Sequence, residues 1–304
     1  MLSTIDRAQY LIPHERLLTN RKKHKLLFYL NRLSIDNNSV LPSSKTLEHK
    51  ITAIYDQQTI GSCTANALCQ AYKMISNPST FEPSRLYLYW NERAIEDSDN
   101  TPITDSGADA VDGLTFMLNH GICPEDDWSY DTTKVNIAPP TSCDSQAKSH
   151  TIKGIESLDV SENDPQYVSK LLKNIKTTIN NGYPIQIGIE VYLSFMSKDA
   201  ELSGVIPIPD PLTFEDPKDS KDPYKGGHEI LLIGYDNSNS LFKFANSWGT
   251  SWGDKGFGYL PYSYVTNKRL TQEFRYFKLT TDTPPQIPLP PLHQTRRLLF
   301  RQNS

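Results

Sequence analysis

Six short stretches, met in a fixed order, constrain this chain more than any other feature. They are Gln57, then Gly61-Ser62-Cys63, then Gly226-Gly227-His228, then Asn246-Ser247-Trp248-Gly249, then Trp252-Gly253, then Gly256-Phe257-Gly258. A cysteine, a histidine and an asparagine form a complete set for acyl transfer: a nucleophile, a base and a group that orients the base. To act together they must meet, so the fold has to bring an early helix against late strands.

The chain has 304 residues, enough for one large domain or two smaller ones. With 37% hydrophobic and 22% charged residues it is ordinary globular material with a sizeable core. A net charge of -4 argues against a general nucleic-acid binder. No run of 18 apolar residues is present, so no membrane span is expected. The first 25 residues lack the apolar centre and small-residue cleavage site of a secretory signal. The expected location is therefore the cytosol, or the inside of a particle. Cys63, Cys69, Cys123 and Cys143 form no CxxC pair and have no clustered histidines beside them, so neither a zinc site nor any cofactor is expected. Few cysteines and no signal point to free thiols in a reducing compartment, and leave the acceptor pattern Asn37-Asn38-Ser39 without a glycan.

Residues 1–44 are polar and basic, with a short helix expected over 26–33 and a boundary at Pro42-Ser43-Ser44. Helical spacing follows over 63–75, 84–95 (capped by Ser84) and 112–120, so residues 45–150 read as a helical lobe. Residues 139–150 read as loop. A further helix is expected over 164–181. Strands are expected over 184–192, 228–235, 241–245, 256–259 and 274–279. Helices first and strands later make an α+β pattern, with residues 151–280 as a β-rich, barrel-like lobe. Residues 207–225 hold five prolines and read as a long loop. Residues 281–304 form a proline-rich, then basic, tail that either binds an SH3-like groove or serves as a linker.

A cysteine at a helix start is well placed to become a thiolate, because unpaired backbone N–H groups and the helix dipole favour negative charge. Gly61 permits the tight turn before it. His228 can act as base and acid, with Gly226 and Gly227 letting the backbone approach closely. Asn246 can hold the imidazole, and Trp248 can cover that bond. Gln57 and the Cys63 N–H can form an oxyanion hole, where losing one donor costs on the order of 10²–10³ in turnover. Taken singly, each of these residues has an ordinary structural explanation: a cysteine near a helix start is usually a small buried hydrophobe. Cys69 is assigned to the core; Cys123 and Cys143 are loop cysteines without a role.

GSCTANA around Cys63, GGHEILLIGYD around His228 and NSWGTSWGDKGFGYL from Asn246 resemble the papain-like cysteine peptidases, the cathepsin family. The likeness runs from about residue 41 to 280, and 121–130 resembles the family's Gly-Ile…Tyr-Pro-Tyr stretch with Trp128-Ser129 in place of Tyr-Pro. It implies two lobes with the site in the cleft between them, Cys63 as nucleophile, His228 as general base and acid, Asn246 as orienting residue and Gln57 as oxyanion donor. It also implies protein or peptide substrates. Gly61, Ser62, Gly227 and Trp248 would support the cleft, with Asp112-Gly113 in place of the family's cleft-lining glycine pair. Thr64 replaces a tryptophan, and Ile60 stands where secreted members carry a disulfide cysteine. His228 and Asn246 fall farther beyond Cys63 than the roughly 130–150 residues of typical enzymes. The pattern is most similar to the disulfide-poor members of bacteria and large DNA viruses. No two-histidine loop of the cathepsin B kind is evident, so endopeptidase action is expected. The alternatives are an inactive binding or structural protein on this fold, or another acyl transfer such as deamidation or deubiquitination. Residues 1–44 would be a leader or an inhibitory propeptide.

Overall fold

Apolar spacing decides where the helices form. The computed structural model describes residues 11, 31–32, 40–76, 81–96, 103–210 and 221–279. Its first helices are α1 (Cys63–Ile75), α2 (Arg85–Glu96), α3 (Ala110–Asn119) and α4 (Thr141–Ala147). Ser84 caps α2 by accepting from the Tyr87 N–H at 3.2 Å, and Asp109 caps α3 by accepting from Val111 at 2.8 Å. Helix α1 is buried from Cys63 to Met74 on every side. A helix of that kind belongs in the middle of a protein. It packs against α2 and α3 on one side and against the sheet on the other.

The later helices are α5 (Tyr167–Asn180), α6 (Lys198–Ser203) and α7 (Tyr262–Val265). Helix α5 buries Leu171, Ile175, Thr178 and Ile179, a stripe at i, i+4, i+7 and i+8, together with Thr177, and exposes Val168, Ser169 and Lys170 near its start. That stripe rests on the sheet.

The strands are β1 (Asn31–Arg32), β2 (Ser44–Thr46), β3 (Gly154–Ser157), β4 (Ile185–Tyr192), β5 (Tyr224–Asp236), β6 (Leu241–Ala245), β7 (Phe257–Pro261) and β8 (Thr271–Lys278). They form one sheet in the order β1-β3-β8-β4-β5-β6-β7, with β2 pairing with the end of β5. All pairings are antiparallel except β1 with β3. Strand β4 is buried at all eight positions, as a central strand covered on both faces must be.

The α+β class stands, but the sheet is not a barrel. Its two ends, β1 and β7, share no ladder. The edge of β7 is instead covered by the chain after α6: Ile206 N–H donates to Tyr259 O at 3.0 Å, and Tyr259 N–H to Gly204 O at 2.8 Å. Three local expectations are also corrected. Asn31 and Arg32, expected in a helix, are extended and paired with Glu156 and Ser157. Residues 141–147, expected as loop, form α4, so Cys143 is helical. Strand β5 begins at Tyr224, inside the expected proline-rich loop, with a bulge opposite Val191 and Tyr192. The remainder of the helix over 26–33, Asn37-Asn38-Ser39, residues 211–220 and the tail from residue 280 lie outside the described residues.

Gly113 tests how tightly the helices pack. A Cβ there would meet Glu92 Oε1 at 2.2 Å and Leu68 Cδ1 at 2.6 Å. Both neighbours are fully buried, and the other oxygen of Glu92 accepts from Thr64 Oγ1 at 2.7 Å. In an exposed helix Gly→Ala gains about 1 kcal/mol. Here Gly113→Ala is expected to lose stability instead, by about 1–3 kcal/mol from overpacking. The urea midpoint reads the sign.

Candidate active site

Cys63 is the first residue of α1 and is fully buried. Ser62 stands at the N-cap, but its hydroxyl does not cap the helix. It lies 2.6 Å from Tyr130 Oη and accepts from Asn66 Nδ2 at 2.9 Å. Before it, the Gly61 N–H donates to Asp105 Oδ1 at 2.9 Å. A Cβ on Gly61 would meet Gly107 N at 3.1 Å and Tyr89 Oη at 3.2 Å, so a side chain here would require its neighbours to give way slightly. The backbone of Glu229 hydrogen-bonds the Cys63 sulfur. Because Glu229 follows His228, this contact brings the start of α1 to the strand that carries the histidine. Burial is the largest influence on the thiol and pushes it up to about 12. The nearby carboxyls of Glu229 and Glu92 add to that rise, while backbone hydrogen bonds from Glu229 and Thr64 oppose it.

His228 lies on β5 opposite Ile189, with Gly227 beside it opposite Glu190. Its Nε2 is 2.8 Å from Asn246 Oδ1. The same Oδ1 accepts from the Ser247 N–H at 2.8 Å, and this identifies it as the oxygen of the amide. An amide oxygen only accepts, so neutral His228 carries its ring proton on Nε2. Nδ1 is then the basic nitrogen. The Trp248 ring, 1% exposed, lies 4.9 Å from the His228 ring. Phe195 and Trp252 pack behind Trp248 at 5.8 and 5.5 Å.

Gln57 joins this group from the turn before α1. Its N–H donates to Ser247 O at 2.8 Å, its Oε1 accepts from Ser247 Oγ at 2.7 Å, and its Nε2 donates to Ile60 O at 3.0 Å. Among the described residues, the second hydrogen of this amide has no hydrogen-bond acceptor. Ser247 thereby connects Gln57 to Asn246. Asp112 and Gly113 do not join the group: both lie within α3, and Gly113 faces Glu92 and Leu68. The glycine against Gly61 is Gly107. Helix α3 starts at Ala110, early enough to take the expected pair into its own packing.

A sequence profile described as papain family cysteine protease matches residues 41–274. The chain belongs to the papain family of cysteine proteases. It is 32% identical over 265 residues to an uncharacterized peptidase C1-like protein of Acanthamoeba polyphaga mimivirus, covering 86% of this chain and 80% of that one. Its fold is similar to that of xylellain, a cysteine protease from Xylella fastidiosa, with a TM-score of 0.66 and 28% identity over 83% of this chain and 96% of the other. The fold is likewise similar to digestive procathepsin L 3 of the Tenebrio molitor larval midgut, with a TM-score of 0.59 and 17% identity over 83% of this chain and 75% of that one. All four cysteines are free thiols, and Cys69 belongs to the core as expected. Among the described residues no group of side chains could hold a metal, and no helix is long and apolar enough to cross a membrane.

Sequence reasoning passed over one residue of this papain-family site. Glu229 is 4% exposed, and Gln186 Nε2 donates to its Oε2. Its carboxyl occupies the space above Gly188, where a Cβ would meet Oε1 at 2.9 Å. The signal was a lone carboxylate in the apolar run HEILLIGY. Burial raises its proton affinity well above that of an ordinary glutamate. Charges on Glu273, Asp109 and Glu92 add to the rise, and the Gln186 hydrogen bond opposes it. Above pH 4.5 an unfolded chain releases this proton while the folded chain keeps it, so stability falls with rising pH until the folded group ionises too. Glu229→Gln has no proton to lose. Its stability relative to the wild type is expected to improve between pH 4.5 and 7.5, read by thermal unfolding at both values. An unchanged difference would remove Glu229 as the cause.

Proposed function

We propose that the chain is a cysteine endopeptidase that cleaves peptide bonds through an acyl-enzyme on Cys63. The observation that carries this reading is the His228–Asn246 bond, which leaves Nδ1 as the basic nitrogen on the strand that touches the Cys63 sulfur. In the proposed reaction His228 takes the thiol proton and the thiolate attacks the substrate carbonyl. The resulting oxyanion is held by the Gln57 amide and the Cys63 N–H. His228 then protonates the leaving amine, and water, deprotonated by the same imidazole, releases the acid. Asn246 keeps the ring oriented throughout. Family membership supports protein or peptide substrates.

Residues 1–44 are proposed to act as an inhibitory leader. Full burial of Cys63 and His228 supports a closed form of the site. Leu11 belongs to the hydrophobic core at 7% exposure, and β1 extends the sheet, so parts of this segment pack on the protease body. The procathepsin L 3 likeness accords with such an arrangement.

The test is intact mass after incubation with a thiol-directed epoxide inhibitor of papain-like peptidases. The wild type is expected to gain one adduct and Cys63→Ala none, and the variant is expected to lose all peptide cleavage. Undiminished cleavage by folded Cys63→Ala would overturn the nucleophile assignment. A chain that begins at Leu41 is expected to react at least tenfold faster than the full chain if the leader blocks the cleft. Equal rates would refute the leader's inhibitory role. Peptides blocked at both ends are expected to be cleaved, as an endopeptidase requires. Amine incorporation into glutamine acceptors without cleavage would move the chemistry to another acyl transfer.

A further inference from the structure

The hydroxyl of Tyr130 makes two hydrogen bonds, and both go to the turn that carries the two proposed oxyanion donors. It donates to Gln57 O at 2.9 Å and lies 2.6 Å from Ser62 Oγ. A carbonyl oxygen only accepts, so the single Tyr130 proton is spent on Gln57. The Ser62 hydroxyl must therefore donate to the Tyr130 oxygen. Ser62 Oγ in turn accepts from Asn66 Nδ2, and Asn66 Oδ1 accepts from Arg85 Nη1 at 3.2 Å. The bonds run in one direction, from Arg85 through Asn66, Ser62 and Tyr130 to Gln57, with every hydroxyl both donating and accepting. Chains of this kind polarise each link and hold one geometry.

Two further contacts hold Tyr130 from outside the turn. The Arg85 guanidinium lies 3.9 Å from the Tyr130 ring centre and 4.4 Å from that of Tyr55. The Tyr130 N–H donates to Glu125 Oε1 at 2.7 Å, and the same oxygen is 3.8 Å from Arg85 Nη2. Within the turn, Gln58 takes a left-handed φ of 56°, unfavourable for a side-chain-bearing residue. The Gln58 N–H is held locally by Asp56 Oδ1 at 2.9 Å, and the Gln57 carbonyl before it is held by Tyr130.

We propose that Tyr130 is a positioning residue for the oxyanion site: its hydroxyl ties Gln57 to Ser62 and so holds the Gln57 amide and the Cys63 N–H aimed at one point. The proposal rests on the peptidase reading of those two donors. Tyr130 never touches substrate. It acts through Gln57 and through the residue before Cys63.

Tyr130→Phe tests this in the full-length protein, because it removes one oxygen and keeps the ring stacked on Arg85. Three rates are compared with the wild type: peptide hydrolysis, alkylation of Cys63 by iodoacetamide, and inhibition by a peptide aldehyde that forms a tetrahedral adduct on the sulfur. Alkylation develops no oxyanion; the other two do. The variant is expected to lose roughly 10–100-fold in kcat, less than outright removal of a donor, with KM within about twofold. Aldehyde affinity is expected to fall by a comparable factor while alkylation keeps its rate. Wild-type kcat in the variant would overturn the proposal. So would an equal loss in alkylation, which would mean that the mutation disturbs the sulfur itself. A wild-type protein that is alkylated at Cys63 yet cleaves no peptide would overturn the underlying peptidase reading, an outcome distinct from cleavage that Tyr130→Phe leaves intact.

Discussion

Helix α1 is buried around nearly its whole circumference, and the rest of the structure depends on where that helix can sit. A helix with one apolar stripe can lie on a surface, but one buried all round needs partners on every side. The partners are α2 and α3 on one side and β4 and β5 on the other. Once α1 is enclosed, its first residue lies at the line where helices and sheet meet. Strand β5 crosses that line with His228 and Glu229, and Cys63 meets it there. The candidate site is thus a consequence of burying one helix between other helices and the sheet.

Its electrostatics carry a conflict that follows from the same burial. The helix start and the surrounding backbone N–H groups favour a thiolate. Removing the sulfur from water opposes one, and the opposition is the larger influence in this closed arrangement. Glu92 and Glu229 bring carboxyls into the same region. Burial raises the proton affinity of Glu229 well above that of an exposed glutamate.

Much of the fold was legible because it rests on periodicity. The range 63–75 was read to the residue, and α2, α3 and α5 to within a few residues, since each carries an apolar repeat or a cap such as Ser84. Strand β6 was read in full for the same reason. The misses are short or depend on partners. Helix α6 has six residues, too few for a stripe, although Ser197 and Gly204 marked its ends. Strand β3 shows little in GIES, and it is a strand because β8 lies beside it. Strand content is local and leaves open whether a barrel-like sheet closes, because closure depends on which edges meet.

The sequence by itself determined the candidate site residues, their order, the helix that starts at Cys63 and the family. These are matters of residue identity and short-range spacing, and they survive without knowledge of distant contacts. Only the tertiary structure decided which atoms meet. It took Asp112-Gly113 into the packing of α3 and put Gly107 against Gly61. It made Ser247 the link between Gln57 and Asn246, and it brought Tyr130 to Gln57 and Ser62 across some 70 residues of chain. Hydrogen bonds of this kind join residues with no periodic relation to one another. Their direction is set by geometry within a few tenths of an ångström, and that geometry exists only once the core has closed.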